Sequence, residues 1–320
     1  MTDPKCPSQM DYYLVGRDCY ECSTGNAVPI EKCLKKYDLE YFRIARKILD
    51  CGDWIENKRT GKKCLTYMGD MMKFDLSNTD QFPLLTTKKV NLRPIVAELL
   101  GFIKGYDNAA DFRKEGCKIW DANANENTQW LNNPNRKGEN DLGRIYGVQA
   151  RDWRTADGES IDQLKNCIDK LCRGEDDRRL IVTHWNPGEM DQMALPPCHM
   201  FYQFGISGNG KLNMCLYQRS CDFPIGIPFN IASYALFLKI VAQITGLKVG
   251  SFTHMMWNIH VYEDQIKLFE EQLERTPQNS PRLAMPKFSS LEELEGSIKT
   301  EDFTISEYNP DPFIKYPFSV

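Results

Sequence analysis

The stretch HMFYQFGISGNGKLNMCLYQR, residues 199–219, decides how this chain is read. Two runs rich in apolar and aromatic residues, 199–206 and 211–219, flank Gly208-Asn209-Gly210. Glycine and asparagine reach the positive-φ backbone that a tight turn between antiparallel strands demands, so the stretch predicts a hairpin. Directly after it, FNIASYALFLKIVAQI at 229–244 is too long and too apolar for a strand. Ser233, Lys239 and Gln243 interrupt it, and it falls short of the about 18 uninterrupted apolar residues of a membrane span. It reads as a buried core helix.

Working outward, Arg179–Trp185 predicts a strand before the hairpin, and Val249–Trp257 one after the core helix. A helix is expected from near His260 to about Glu274. Upstream, Asp38–Cys51 predicts a helix with Leu39, Phe42, Ile44, Ala45, Ile48 and Leu49 on its apolar face. Cys64–Leu76 reads as extended and hairpin-like. Pro94–Lys104 reads as a helix with proline near its first turn, and Ser160–Cys172 as another, ended by Gly174. Residues 276–295 are richer in Pro, Ser and Glu and are expected at the surface. Strands and helices in irregular order predict an α+β fold, one large domain with a mixed sheet and packed helices.

Of the 320 residues, 42% are hydrophobic and 26% charged, and the formal net charge is −4. That balance excludes a dedicated nucleic-acid binder, which carries a basic excess. The start, MTDPKCPSQMDYY, lacks the basic region and apolar run of a signal peptide. With no export signal, the twelve cysteines are expected as free thiols in a reducing cytoplasm. Residues 1–36 form a distinct extension. Its Cys6, Cys19, Cys22 and Cys33 are read as free thiols, with a four-thiolate zinc site as the alternative.

Chemistry concentrates in a few places. Cys198 lies in Leu195-Pro-Pro-Cys-His199, where two prolines fix the approach to the thiol. A thiol attacks only as thiolate, which neighbouring guanidinium groups favour. Arg178-Arg179 precedes an apolar strand and Arg219-Ser220 ends another; guanidinium forks match phosphate oxygens in shape and charge. Asn230 enters the core helix, where its carboxamide either caps the helix or pairs with the edge of a base. Glu98 stands among Ala97, Leu99 and Leu100; a carboxylate there is either paired or tuned for proton transfer.

These residues sit in longer blocks: Lys58-Arg-Thr-Gly61, Phe82-Pro-Leu-Leu-Thr-Thr-Lys88, Ile119-Trp-Asp121, Asp141-Leu-Gly143 with Tyr146-Gly147, Leu195–His199, Tyr217–Asp222, Pro228–Tyr234, His260-Val-Tyr262, and the tail Pro310–Val320. With them the chain resembles the thymidylate synthase family from about Asp38 to Val320. The resemblance implies a sheet-mediated homodimer, a catalytic domain over 37–320 and reductive methylation of dUMP at C5, with 5,10-methylenetetrahydrofolate giving the carbon and hydride. It implies that Cys198 attacks C6 of the uracil, with Glu98, Tyr146, Arg219, Asp222 and Asn230 as further catalytic residues. Substrate contacts would come from Arg59, Arg219 and Ser220 on the phosphate, and from Arg178 and Arg179 given to the partner's site. Asn230 would read the base, His260 and Tyr262 the sugar, with His199, Gln218, Asp222 and Gly226 around them. The folate would lie on Ile119, Trp120, Leu195, Ile225 and Phe229, its pterin on Asp222, under the tail ending in Ser319 and Val320.

Some positions leave the family pattern. Gly101 stands where Trp is usual, Arg144 for Pro, Ala150 for Trp, Trp257-Asn258 for Gly-Asp, Asp264-Gln265 for Asn-His, and Glu126–Asn140 is an insertion. The shape of the folate wall is therefore open, and two other readings stand beside the synthase. One is a dUMP hydroxymethylase, in which water rather than hydride captures the methylene group. The other is an inactive nucleotide-binding relative.

Overall fold

In the computed structural model, described residues are 36–58, 61–77, 80–175 and 177–318, together with the backbone of two short paired strands, Asp18–Tyr20 and Ala27–Pro29. A six-stranded sheet carries the fold. Its strands are β1 (Asp53–Asn57), β2 (Lys62–Asp75), β3 (Ile181–Thr183), β4 (His199–Ile206), β5 (Lys211–Asp222) and β6 (Lys248–Tyr262), in the spatial order β1-β2-β6-β5-β4-β3. All neighbours are antiparallel except β5 and β6, which are parallel. Parallel neighbours need a crossover, and helix α5 (Gly226–Thr245) supplies it. The α+β mixed sheet expected from the sequence is what forms.

Helix α5 is long and apolar enough to cross a membrane by composition, but 83% of that window is buried in the protein. It lies on the inner face of the sheet, against Leu212, Met214, Leu216, Phe252 and Met256, and the surrounding side chains form the main core. Helices α1 (Asp38–Cys51), α2 (Leu92–Ile103), α3 (Tyr146–Arg151), α4 (Gln163–Cys172) and α6 (Ile266–Leu273) complete the body. A second, smaller core gathers Ala97, Phe112, Trp120, Trp130, Ile145, Tyr146 and Met193. Helix α2 bridges the two: Ala97 faces the small core, and Leu99 and Leu100 face the main one.

Several expectations change. The helix expected from Ser160 begins at Gln163, because the Asp162 carboxylate caps it by accepting from Lys165 N–H at 2.8 Å, and Ser160–Ile161 pairs instead with Trp153–Arg154. The strand expected over 179–185 is only Ile181–Thr183. β5 continues past Arg219 to Asp222. β6 runs through Tyr262, so His260 lies in a strand, and the helix starts at Ile266; Val261 and Tyr262 go on pairing with Leu65 and Cys64. Buried polar His260, beyond the expected end at Trp257, had disguised the strand's continuation. Residues 276–295 are not merely surface: Ser280, Leu283, Phe288, Leu291 and Leu294 are buried, and Ser290 caps a short helix, Leu291–Ser297.

At the start of α1, Asp38 is fully buried, and its carboxylate accepts from the Thr86 and Thr87 N–H groups at 2.9 and 3.0 Å and from the Thr87 hydroxyl at 3.0 Å. This ties α1 to the 82–88 block. Asp38→Ala leaves those donors buried and unpaired, and is expected to cost about 3 kcal/mol of unfolding free energy, read as a lower urea midpoint.

Candidate active site

Cys198 ends a loop that leaves the small core at Met193-Ala194 and enters β4 at His199. The two prolines expose their carbonyls, and Arg219 on the neighbouring strand clamps them. Its Nε donates to Pro197 O at 2.9 Å, its Nη2 donates to Pro196 O at 3.0 Å, and its backbone N–H donates to Cys198 O at 3.0 Å. The guanidinium also lies over the Trp185 ring at 5.3 Å. From the other side, Cys198 N–H donates to Tyr146 Oη at 2.8 Å. The thiol is half-buried and in no disulfide. A register shift between His199 and Phe201 bulges β4 beside it, a device that re-aims side chains next to sites.

His199 follows the thiol in sequence but is no cation for it. Its ring is buried between Tyr146 and Tyr234, at 5.4 and 5.1 Å. Burial, helped by His184, drives its pKa down to about 3, so it stays neutral. His184, itself held near 4 by burial, reaches His199 O through Nδ1 at 2.9 Å.

Asn230 is the fifth residue of α5, with Gly226 at the helix start close by. Gln218 Nε2 donates to Asn230 Oδ1 at 3.2 Å and to Ser220 O at 3.0 Å. Of the two alternatives, capping or base-pairing, the carboxamide's bond to Gln218 is not a helix cap.

Glu98 accepts from Trp120 Nε1 at 3.0 Å, and burial raises its pKa to about 7. Trp120 and Phe102 pack on the Tyr146 ring at 5.6 and 5.0 Å, so one aromatic cluster joins Glu98 to the Cys198 loop. Tyr146 is held well above the ordinary phenol value by burial and by Cys198, and stays a neutral phenol. Because Oη accepts from the Cys198 amide, its own proton is left to donate elsewhere.

Asp222 ends β5, pairs in register with His260, and accepts from Ile225 N–H at 3.3 Å. Burial raises its pKa to about 6, against the Gln265 carboxamide and Lys88. Tyr262 follows His260 on β6, both buried, with their rings edge to face at 5.4 Å. Leu195, Ile225 and Phe229 are half-buried, Trp120 is buried and Ile119 is exposed. Ser220 is half-buried beside Arg219.

Arg178 and Arg179 are not brought to this cluster. Both are exposed, Arg179 pairs with Asp177 at 2.9 Å, and Gln203 Nε2 donates to Arg178 O. Leu180 O accepts from Phe204 N–H, so the pair lies five residues of β4 from His199, roughly 17 Å of strand. Arg59, Ser319, Val320 and the cysteines 6, 19, 22 and 33 lie outside the described side chains.

Two positions had been given no role from the sequence. Gln265 is fully buried, accepts from Tyr262 N–H at 3.0 Å, and donates to Pro317 O at 2.9 Å, joining Asp222 to the tail. A lone Gln after Asp reads as surface until the tail covers it. Lys88 is buried, donates to Pro224 O, and lies over the Tyr316 ring at 4.9 Å. Burial lowers its pKa to about 8.

A clamped thiol, an arginine on the loop that carries it, a carboxamide held in one orientation and two carboxyls with raised pKa values make the equipment of a covalent group-transfer enzyme. A family model described as thymidylate synthase matches residues 39–320. A thymidylate synthase of Photobacterium profundum is 50% identical over 283 residues, covering 88% of this chain and 99% of its own. Those of Histophilus somni and Mannheimia succiniciproducens are each 49% identical over the same shares. The chain belongs to the thymidylate synthase family, and is a methyltransferase.

Proposed function

We propose that the chain converts dUMP to dTMP with 5,10-methylenetetrahydrofolate as co-substrate, working through a covalent bond from Cys198 to C6 of the uracil. The observation that carries this is the double hold on Cys198, by Arg219 on its preceding carbonyls and by Tyr146 on its amide. The thiolate adds to C6, and the electron pair moves through C5 to O4. Asn230 then meets the base edge: with Oδ1 turned to Gln218, that oxygen also accepts from N3–H while Nδ2 donates to O4. Glu98, protonated near neutrality, supplies a proton toward O4 through water. Tyr146, a neutral phenol, assists departure of the C5 proton. Such covalent catalysis replaces one hard substitution at C5 by easier steps.

Arg59, Arg219 and Ser220 are read as phosphate contacts, with His260 and Tyr262 on the sugar. His199, Gln218, Asp222 and Gly226 line the nucleotide side. The folate, which brings the carbon and the hydride, fits an apolar wall of Trp120, Leu195, Ile225, Phe229 and Ile119, with Asp222 as acceptor for the pterin. Ser319 and Val320 are read as closing over it. Gly101 supports a repacked wall: a Cβ there would stand 2.3 Å from the Phe112 ring, which fills the space. We read 37–320 as the catalytic domain, 1–36 as an appendage, and the location as cytoplasmic.

The homodimer reading rests on the outer sheet face. Phe201, Tyr217, Met255 and Met71 follow one another in register across four strands. Met71 and Met255 are 52% and 42% exposed, and nearby Met68, Trp257 and Ile181 are exposed too. An apolar row of this kind on a sheet marks an association surface. A partner there would let Arg178 and Arg179, remote from their own Cys198, serve the other site. Met255→Arg is expected to give monomers in analytical ultracentrifugation and to lower kcat/KM by at least about 100-fold through loss of the phosphate contacts.

Products decide the reaction. Purified protein with dUMP and methylenetetrahydrofolate is expected to yield dTMP and dihydrofolate. Tetrahydrofolate with hydroxymethyl-dUMP would instead establish the hydroxymethylase, which the thymidylate synthase relatives at 49–50% identity do not favour. No turnover, with dUMP still bound, would leave the inactive relative.

A further inference from the structure

His254 lies outside the contacts assigned above, one layer behind the base-reading amide. It is fully buried on the inner face of β6, in register with Leu216 of β5 and Met72 of β2, with its ring on Phe252 at 5.7 Å. Its Nε2 meets Gln218 Oε1 at 2.8 Å. A carboxamide oxygen only accepts, so Nε2 carries the proton and donates. Its Nδ1 is buried and has no hydrogen-bond partner. The imidazole therefore spends its one bond on Gln218.

That bond has a consequence two residues away. Ser220 O only accepts, so it and His254 together set Gln218 with Nε2 toward Ser220 O and Asn230 Oδ1 and with Oε1 toward the imidazole. Turning Asn230 over would set its NH2 group against the NH2 group of Gln218, donor against donor. On its Gln218 side Asn230 is thus held with Oδ1 inward, the orientation that offers an acceptor to N3–H and a donor to O4, while His199 makes a further side-chain bond to the same amide. Cytosine presents the reverse pattern at those two positions, an acceptor at N3 and a donor at the exocyclic amine. The reversed Asn230 would match it. Ser220 O alone holds Gln218 with one bond; His254 adds the second.

We propose that His254 is a positioning residue for base selection, fixing through Gln218 the orientation in which Asn230 meets the pyrimidine. The inference rests on the reading of Asn230 as the base contact. A lost or unmade hydrogen bond between buried partners shifts such a preference by about tenfold.

The test compares dUMP and dCMP binding to full-length protein by isothermal titration, alongside kcat and KM for dUMP. For His254→Leu the ratio of dCMP to dUMP dissociation constants is expected to fall about tenfold, mainly by weaker dUMP binding. His254→Gln, whose amide nitrogen can reach Gln218, is expected to restore most of the ratio. If His254→Leu does not fold, His254→Asn makes the same comparison, since its shorter amide stops short of Gln218. An unchanged ratio in a folded Leu or Asn variant overturns the proposal. So does equal loss of affinity for both nucleotides, the signature of a packing role alone. Wild-type protein that binds neither nucleotide would instead overturn the functional reading on which the inference stands.

Discussion

Replacing Cys198 by serine is expected to lower kcat by roughly 10⁴-fold or more, the scale on which a removed covalent nucleophile is felt, while dUMP affinity stays within severalfold. The split follows from where the contacts lie. Arg219 holds the loop through the Pro196 and Pro197 carbonyls, and Tyr146 holds it through the backbone N–H of residue 198. None of these bonds uses the thiol, so serine keeps the loop and the nucleotide contacts. What it loses is reactivity. A thiol with an ordinary pKa of about 8.5 supplies thiolate near neutrality, whereas a hydroxyl needs a base beside it. The adjacent His199 does not provide one: its ring is buried between Tyr146 and Tyr234, and with its pKa driven down to about 3 it is a poor base. Steady-state kinetics with dUMP titration checks both halves. Wild-type turnover in the serine variant would remove Cys198 from the mechanism.

The residues that the fold gathers around Cys198 were legible where chemistry and chain position coincide. Cys198, Arg219, Asn230 and Tyr146 carry scarce functional groups inside long recognisable blocks, and the fold joins the first three through β4, β5 and the start of α5. The hairpin at 199–219 was legible too, since Gly-Asn-Gly punctuates two apolar runs; Gly210 does adopt a φ of 73°. What the sequence hid is burial of polar groups by distant segments. His260 broke the apolar alternation that marks a strand, so β6 read shorter than it is and its last residues read as the start of a helix. Gln265 and Lys88 become interior only when the tail, 50 residues or more away, lays Pro317 and Tyr316 over them. The neutrality of His199 was likewise invisible, because it depends on rings contributed by α3 and α5.

Glu98→Gln should make the protein more stable and less active at once. Burial raises the Glu98 pKa from an ordinary 4.5 to about 7. The folded state therefore holds a proton that the unfolded chain has already released between those values. By linkage, this carboxyl costs nothing below pH 4.5. Its cost grows as the pH climbs, reaching about 3 kcal/mol above pH 7. Glutamine removes the cost and keeps an oxygen for Trp120 Nε1, the one bond that Glu98 accepts from a ring. Thermal unfolding at pH 8 is expected to move up by roughly 5 °C, with no change at acidic pH. Activity moves the other way. If the protonated carboxyl donates toward O4, wild-type kcat/KM falls as the pH rises past about 7, and the variant loses that limb together with about 10²–10⁴ of its rate. A limb of the opposite slope would make Glu98 a base rather than an acid. A variant that gains no stability at pH 8 would show that the carboxyl is solvated rather than desolvated beside Trp120, and the proton-donor role would go with it.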